Sequence, residues 1–324
     1  MKLLRPLPLL LFWLSQAVNG ALLAVDPPSP GLKRARLHVM ASESMFATVN
    51  RADATASMTI WTRQIAGIYG FELDTRMEIA RSIEEIRQRL KAHTVDLLVL
   101  DTPDFLALVD GKLIEALVAG TSRGRLGTFP YLLLTNAAPE AGQLAGLRGK
   151  RIVVNSRTKS NLGLAWLETL LAENRLGRAS GFFGSLEIGY RASACVLPLF
   201  FGKIDACVVD SDSWESIKEL NPQLGRLRVA ARSEALLEGV MAVPVAPFPY
   251  KSVMIESIIN MHKTAAGEQL GIVFRTGPLI RVVKEQFESV RALRGKYRRI
   301  VEPSGDGPAP IAGRLEEVEV KERR

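Results

Sequence analysis

The chain has few of the residues that metal centres and thiol chemistry require. Its 324 residues include three histidines and two cysteines. His38, His93 and His262 are far apart in the sequence, and no group of histidines and cysteines has the spacing of metal ligands. The sequence therefore predicts no metal site and no cofactor.

The motifs of the common enzyme classes are missing as well. The sequence contains no Gly-x-Ser-x-Gly elbow, no Gly-rich phosphate loop followed by lysine, and no histidine beside a candidate nucleophile. The chain is therefore not expected to be an enzyme. A hydrolase is the enzymatic alternative, and turnover of a model ester is the observation that would support it.

Long apolar runs are scarce, and the one near the start is too short to cross a membrane. Lys2 and Arg5 precede an apolar run at residues 7–14, whereas a span requires about 20 residues. No cysteine follows this run, which excludes a lipoprotein anchor there. Residues 1–20 are predicted to be a signal peptide that is cleaved on export. A retained membrane anchor is the alternative.

Positive charge is more abundant, with a net charge of +8. Part of the excess lies in residues 291–299, and no nucleic-acid-binding motif accompanies it. We interpret this cluster as a solvated helix face and expect no nucleic-acid partner, although an anionic ligand agrees with the charge. Residues 301–324 are rich in proline, glycine and charged residues, which predicts a flexible tail.

The two cysteines allow two interpretations. Cys195 lies on a predicted short helix and Cys207 on the strand that follows it. If the helix runs antiparallel to the strand, the two side chains meet, and an exported protein can form a disulfide there. Both cysteines also have apolar neighbours, among which a free cysteine packs as a small hydrophobic residue. The sequence leaves both possibilities open.

Polar residues follow two predicted strands in the first part of the chain. Ser42 and Ser44 come after one strand, and Asp101 and Thr102 come after another at residues 95–100. Ligands of open α/β sheets bind outside the carboxyl ends of the strands. These four residues are therefore candidates for a ligand site.

The same pattern returns after a predicted strand at residues 151–154. A polar loop follows it and leads into a helix, and the candidate residues of this loop are Asn155, Thr158, Ser160 and Asn161. The free N–H groups and the dipole of a helix start favour an oxyanion ligand. Ser160 serves equally well as a plain N-cap, which needs no ligand.

Three further candidates lie around the next helix and strand. Arg191 and Ser193 begin the helix, and Asp210 follows a strand at residues 204–209. An arginine fork suits the oxygens of an anionic ligand. A solvated Arg191 and a capping role for Asp210 are the alternatives.

The order of the predicted elements indicates an α/β protein with two lobes. Strands alternate with helices, such as one predicted at residues 79–92, and this order requires right-handed crossovers and a parallel sheet. The chain is predicted to cross between the lobes at residues 129–135 and 227–231. Lobe I is then built from residues 36–126 and 234–297, and lobe II from residues 137–229.

Several of these segments together resemble a known family. They are Trp61 in its helix, residues 95–100, Ser160 to Leu162 with Trp166, residues 201–210, residues 219–224 and residues 270–274. Their order and spacing are similar to those of the phosphate, phosphite and phosphonate substrate-binding proteins of ABC transporters. The resemblance covers residues 36–297.

The resemblance implies a type II periplasmic-binding-protein fold, in which two α/β lobes close on a ligand by hinge bending. It also implies a periplasmic, monomeric protein that captures a small oxyanion, such as phosphonate, phosphite or phosphate, for an ABC permease in the inner membrane. The alternative is a periplasmic sensing module of the same fold that signals to a membrane receptor.

The family's site motifs match this chain in part. Its Ser-Thr-Ser-Gly turn corresponds to residues 158–161, and its Gly-Ser-His-Glu turn to residues 189–193, where Arg191 replaces the histidine and Ala192 the acid. The missing acid argues against a ligand ammonium group and therefore against an aminophosphonate. Asp210 and Asp212 are the alternative partners for such a charge.

Overall fold

The structure is a computed structural model that describes residues 33–46, 50–68, 71–136, 144–274 and 276–301. The predicted signal peptide at residues 1–20 lies outside these residues, as does the predicted tail apart from Val301. The described chain is a mixed α/β structure with two β-sheets, which confirms the predicted fold class.

The described part of the chain contains twelve strands and ten α-helices. The strands are β1 (Lys33–Ser42), β2 (Phe71–Ala80), β3 (Leu97–Asp101), β4 (Ile114–Ser122), β5 (Arg125–Leu126), β6 (Thr128–Thr135), β7 (Arg151–Asn155), β8 (Ser185–Gly189), β9 (Ala206–Asp210), β10 (Arg228–Leu237), β11 (Gly239–Pro244) and β12 (Leu279–Arg281). The helices are α1 (Arg51–Ile68), α2 (Ile83–Lys91), α3 (Thr102–Val109), α4 (Leu162–Glu173), α5 (Ala179–Phe182), α6 (Ala192–Phe200), α7 (Ser211–Leu220), α8 (Lys251–Ile259), α9 (Ala265–Phe274) and α10 (Glu288–Val301).

The first sheet has the strand order β12-β4-β11-β3-β1-β2, with β5 paired to β4. β1 runs parallel to β2 and β3, whereas β11 lies antiparallel between β3 and β4. The strands from which a parallel sheet was predicted, β1 and β3, do pair in parallel, but the complete sheet is mixed. The physical reason is that the chain returns from the second sheet through β11 and enters the first sheet in the opposite direction.

The second sheet has the order β10-β6-β9-β7-β8. β7 runs parallel to β8 and β9, whereas β6 pairs antiparallel with both β9 and β10. Since β6 and β10 pair along their length, this sheet extends beyond the predicted residues 137–229. It includes residues 234–237, which the sequence analysis placed in lobe I.

A disulfide joins Cys195 on α6 to Cys207 on β9, with their Cα atoms 5.8 Å apart. Both residues are fully buried in an apolar cluster with Val153, Val196 and Leu199. Of the two possibilities left open by the sequence, the structure shows the disulfide. It fixes the helix that begins after Arg191 to the strand that ends at Asp210.

Helix α10 contacts elements of both halves of the molecule. Arg291 pairs with Asp110 beyond the end of α3 at 2.9 Å, and Lys296 pairs with Glu173 at the end of α4 at 2.7 Å. Ser289 donates to the carbonyl of Ala235 in β10 at 2.7 Å. The basic residues of this helix are therefore partly used in contacts between the two halves of the molecule.

Candidate functional site

The polar edges of the two sheets face each other. β1 and β3 are parallel and end at Ser42 and Asp101, while β7 and β9 are parallel and end at Asn155 and Asp210. The site loop, residues 155–161, reaches from the second sheet to the first. In it, the N–H of Lys159 donates to the carbonyl of Ser44 at 3.0 Å. We call the space between these edges the cleft.

Asp101 is the first-sheet residue at the centre of these contacts. It is fully buried, caps α3 by accepting from the N–H of Asp104 at 2.8 Å, and accepts from the hydroxyl of Ser160 across the cleft. Burial, together with nearby Asp104, raises the pKa of the Asp101 carboxyl to about 7, although these hydrogen bonds oppose the rise. Asp101 therefore changes its charge near neutral pH.

Ser42 and Ser44 lie beside this carboxyl, as the strand order predicted. Their hydroxyl oxygens are 2.8 Å apart, and Ser44 donates to Asp104 at 3.2 Å. Burial also raises the pKa of Asp104. The first-sheet side of the cleft is thus a connected group of two hydroxyls and two carboxyls.

Asp210 is the corresponding residue of the second sheet. It is fully buried and caps α7 by accepting from the N–H of Ser213 at 2.9 Å. The guanidinium of Arg157 lies 3.2 Å from the same carboxyl oxygen, 3.8 Å from Asp212, and 4.8 Å from the centre of the Phe129 ring. The site loop therefore places a cation, Arg157, inside the cleft.

Glu238 is a site residue that sequence reasoning missed. It lies between β10 and β11, is buried, and accepts a hydrogen bond from the hydroxyl of Tyr131. Burial raises its pKa to about 7, with Asp210 adding to the rise and Arg157 opposing it. The sequence around it, with Leu236 and Leu237 before Glu238 and Gly239 and Val240 after it, is apolar, and this is the one local signal that could have singled it out.

Four buried oxygens in this region have no hydrogen-bond partner among the described residues. They are Thr102 Oγ1, Thr158 Oγ1, Asp210 Oδ2 and Glu238 Oε2. The backbone links two of these residues, because the N–H of Thr102 donates to the carbonyl of Glu238 at 2.9 Å. Buried polar atoms normally have partners, so these four oxygens leave hydrogen-bonding capacity for a bound polar group or water.

Asn155 and Asn161 support the site loop instead of adding free polar groups. Asn155 donates to the carbonyl of Gly189 at 3.1 Å, and Asn161 caps α4 by accepting from the N–H of Leu164 at 3.0 Å. Asn161 has φ of 48°, a left-handed conformation that asparagine tolerates better than most residues. Asn161, and not Ser160, is therefore the N-cap of α4.

Arg191 and Ser193 are not part of the buried group. Arg191 is the N-cap residue of α6 but makes no capping hydrogen bond with its side chain, and both residues are exposed. They lie just after Gly189, whose carbonyl accepts from the N–H of Ser156 in the site loop at 2.9 Å. The structure therefore places them at the surface beside the cleft.

A second contact between the halves lies at Arg123, in the turn between β4 and β5. Its guanidinium lies 3.2 Å from Asp212 and 2.6 Å from Glu219, both on α7. Ser122 donates to Asp212 at 2.8 Å. These bonds connect the first sheet to the helix that Asp210 caps.

The described residues contain no group of three or more histidine, cysteine or acidic side chains that is arranged to hold a metal ion. None of the helices described is long and apolar enough to span a membrane. A cavity of about 70 Å³ lies elsewhere, lined mainly by apolar residues such as Leu37, Trp61 and Met254, and it shares no residue with the cleft.

Two lobes whose strand ends meet at a buried polar cleft define the class of two-lobed periplasmic binding proteins. The model of the family described as "ABC transporter, phosphonate, periplasmic substrate-binding protein" matches residues 52–280. The chain belongs to this family of transport proteins, which are periplasmic and are not enzymes. No curated protein matches the chain significantly.

Solved structures show the same fold. XAC2383 from Xanthomonas citri, bound to ATP, is 15% identical with a TM-score of 0.58, and the match covers 82% of this chain and 98% of that one. PhnD1 from Prochlorococcus marinus, in complex with methylphosphonate, is 14% identical with a TM-score of 0.55 and coverages of 82% and 99%. The phosphonate transporter component PA3383 from Pseudomonas aeruginosa is 12% identical, with a TM-score of 0.54 and coverages of 82% and 87%.

Proposed function

We propose that this protein captures a small oxyanion, such as a phosphonate, phosphite or phosphate, in the cleft between its two lobes. It is exported with cleavage of residues 1–20 and delivers the ligand, as a monomer, to an ABC permease in the inner membrane. The observation that carries the ligand proposal is the pair of buried, unpartnered hydroxyls of Thr102 and Thr158, one from each side of the cleft.

Hydroxyls suit an oxyanion because each donates one hydrogen bond without adding a charge. Thr158 also precedes α4, whose N-terminal dipole favours a negative group. The carboxyls of Asp101 and Glu238 have pKa values of about 7, so each carries a proton in a large fraction of molecules at neutral pH. A protonated carboxyl donates to an oxyanion instead of repelling it.

The exposed positions of Arg191 and Ser193 give them a different part in this proposal. Arg191 stands at the N-terminus of α6 and beside the site loop, so its charge attracts anions toward the cleft. We propose that Ser42, Ser44, Asp101 and Asp210 line or shape the inner site, while Asn155, Ser160 and Asn161 hold the loop that carries Thr158.

Calorimetry on the mature protein with methylphosphonate, phosphite and phosphate tests the proposal. The ligand that binds most tightly is then measured with two variants, Thr158→Val and Thr102→Val. Each variant removes one hydroxyl and nearly preserves the shape of the side chain. Loss of a hydrogen bond to a charged ligand costs about 1.5–3 kcal/mol, so each variant is expected to bind at least about tenfold more weakly.

Thr55→Val is the matched control, because Thr55 is exposed on α1 and lies outside the cleft. It should bind as the parent protein does. If both cleft variants keep full affinity while folding normally, the ligand binds elsewhere and the proposed site is wrong.

A further inference from the structure

The carboxyl of Asp210 already has a cationic partner within the protein, because it lies 3.2 Å from Arg157. The neighbouring Asp212 lies 3.2 Å from Arg123, which also pairs with Glu219 at 2.6 Å, and 3.8 Å from Arg157. Asp210 therefore does not depend on a ligand for its ion pair. Lys159, the other cation of the site loop, is occupied by Glu43 at 3.0 Å.

Arg157 is held firmly in this position. Its guanidinium carbon lies over the Phe129 ring, 4.8 Å from the ring centre, and 29% of its side chain is exposed. An aromatic face and a carboxylate are both favourable partners of arginine, and the two contacts limit the movement of its side chain. The cation is thus a fixed part of the cleft.

Asp210 nevertheless keeps one oxygen without a donor. Oδ1 accepts from both Arg157 and the N–H of Ser213, whereas Oδ2 is buried and has no partner within the described chain. A buried carboxylate oxygen needs a hydrogen-bond donor, which a ligand can provide as an ammonium group or as a hydroxyl. The adjacent guanidinium repels an ammonium group but not a hydroxyl.

We propose that Arg157 takes the place of a ligand ammonium group, so that the cleft selects oxyanions that carry an acidic hydroxyl and no amino group. This inference rests on the proposed oxyanion site. The hydroxyl of a singly protonated phosphonate donates to Asp210 Oδ2, and its remaining oxygens accept from the threonine hydroxyls. An ionised sulfonate has no such hydroxyl, and an aminophosphonate brings a second cation beside Arg157.

The test is calorimetry with three probes of similar size in mildly acidic buffer: methylphosphonate, 2-aminoethylphosphonate and methanesulfonate. The parent protein is expected to bind methylphosphonate at least about tenfold more tightly than either of the others. Methanesulfonate lacks one hydrogen bond to a charged group, and 2-aminoethylphosphonate adds one repulsive contact with Arg157. Tighter binding of 2-aminoethylphosphonate, or equal binding of methanesulfonate, would overturn the inference.

Two variants examine the cation directly. Arg157→Gln removes the charge and is expected to shift the preference toward 2-aminoethylphosphonate, because Asp210 then lacks a cation. Arg157→Lys keeps the charge and is expected to preserve the parent's order of affinities. An unchanged preference in a folded Arg157→Gln protein contradicts the inference.

The outcomes separate this inference from the proposed function. If the parent binds none of methylphosphonate, phosphite or phosphate, the oxyanion site itself is refuted. If it binds oxyanions but prefers the amino compound, the oxyanion site stands and the role given to Arg157 falls. Should Arg157→Gln not fold, the parent's order of affinities decides alone.

Discussion

Two carboxyl side chains of the cleft, Asp101 and Glu238, have their pKa values raised by burial to about 7. Neither forms an ion pair within the described residues, and both are held by neutral hydroxyl donors, Ser160 for Asp101 and Tyr131 for Glu238. A neutral hydroxyl donor stabilises the charged form of a carboxyl less than a cationic donor does. At the scale of single residues, the protonation of these two cleft carboxyls therefore changes with pH near neutrality.

The free energy of unfolding of the ligand-free protein is expected to fall as pH rises from about 5 to about 8. In this range the folded protein binds more protons at Asp101 and Glu238 than the unfolded chain, in which their pKa values are near 3.8 and 4.5. Since a tenfold change in a proton-binding constant corresponds to about 1.4 kcal/mol, the loss of stability is on the order of a few kcal/mol. Urea denaturation across the pH range measures it.

Glu238→Gln keeps an oxygen that accepts from Tyr131 and removes the titrating group, so it should flatten this pH dependence. The control, Glu234→Gln, changes an exposed acid on β10 and should leave the slope unaltered. Equal slopes for the parent protein and Glu238→Gln would show that Glu238 does not hold its proton as inferred.

At the scale of helices and strands, the elements that carry the site loop were the most predictable. β7 and α4 occur where their apolar runs and polar loop predicted them. The predicted helix at residues 79–92 begins instead at Ile83, and Ile79 belongs to β2. Apolar residues at helical spacing extended across the boundary between two elements, which concealed the alternating pattern of Leu73, Met77 and Ile79.

Long-range contacts were the less predictable part of the site. The sequence placed Ser42, Asp101 and Asp210 at strand ends, but it did not show that Arg157 reaches Asp210 or that Tyr131 reaches Glu238. These pairs join residues that are far apart in the chain, 53 positions for the first pair and 107 for the second. Their contact depends on how β6, β9 and β10 pair, and no local pattern encodes that pairing.

The disulfide between α6 and β9 is expected to stabilise the second lobe. It closes a short loop, with a sequence separation of 12, for which chain entropy predicts about 3 kcal/mol. The Cys195→Ala, Cys207→Ala double variant should therefore lose about 2–4 kcal/mol in urea denaturation.

Reductant supplies the control for this measurement. It should lower the stability of the parent protein toward that of the double variant and leave the double variant unchanged. A parent protein whose stability ignores reductant under unfolding conditions would contradict a stabilising role for the bond.

At the scale of the whole molecule, three regions of the described chain join the two lobes in addition to the strand crossings. They are the site loop against Ser44 and Asp101, Arg123 against α7, and α10 against α3 and α4. The first two join the facing edges, whereas α10 also contacts β10. Opening of the cleft must therefore break the first two sets of contacts.

The protein isolated from its native host is expected to begin between residues 18 and 25, because the basic start, apolar run and small residues predict cleavage there. Mass spectrometry of the periplasmic fraction measures this start. A matched preparation with Ser15, Ala17 and Val18 replaced by bulky residues should retain the segment. An intact Met1 on a cytosolic parent protein would contradict export.

Glu238 lies where the chain passes from β10 of one sheet to β11 of the other, so it sits close to the pivot of any rotation of the lobes. If the lobes rotate about this crossing, atoms near it move less than Ser160 and Lys159 on the site loop do. The bond between Tyr131 and Glu238 is therefore expected to persist when the cleft opens. On the proposed function, a ligand then contacts the part of the site around Glu238 before the site loop closes over it.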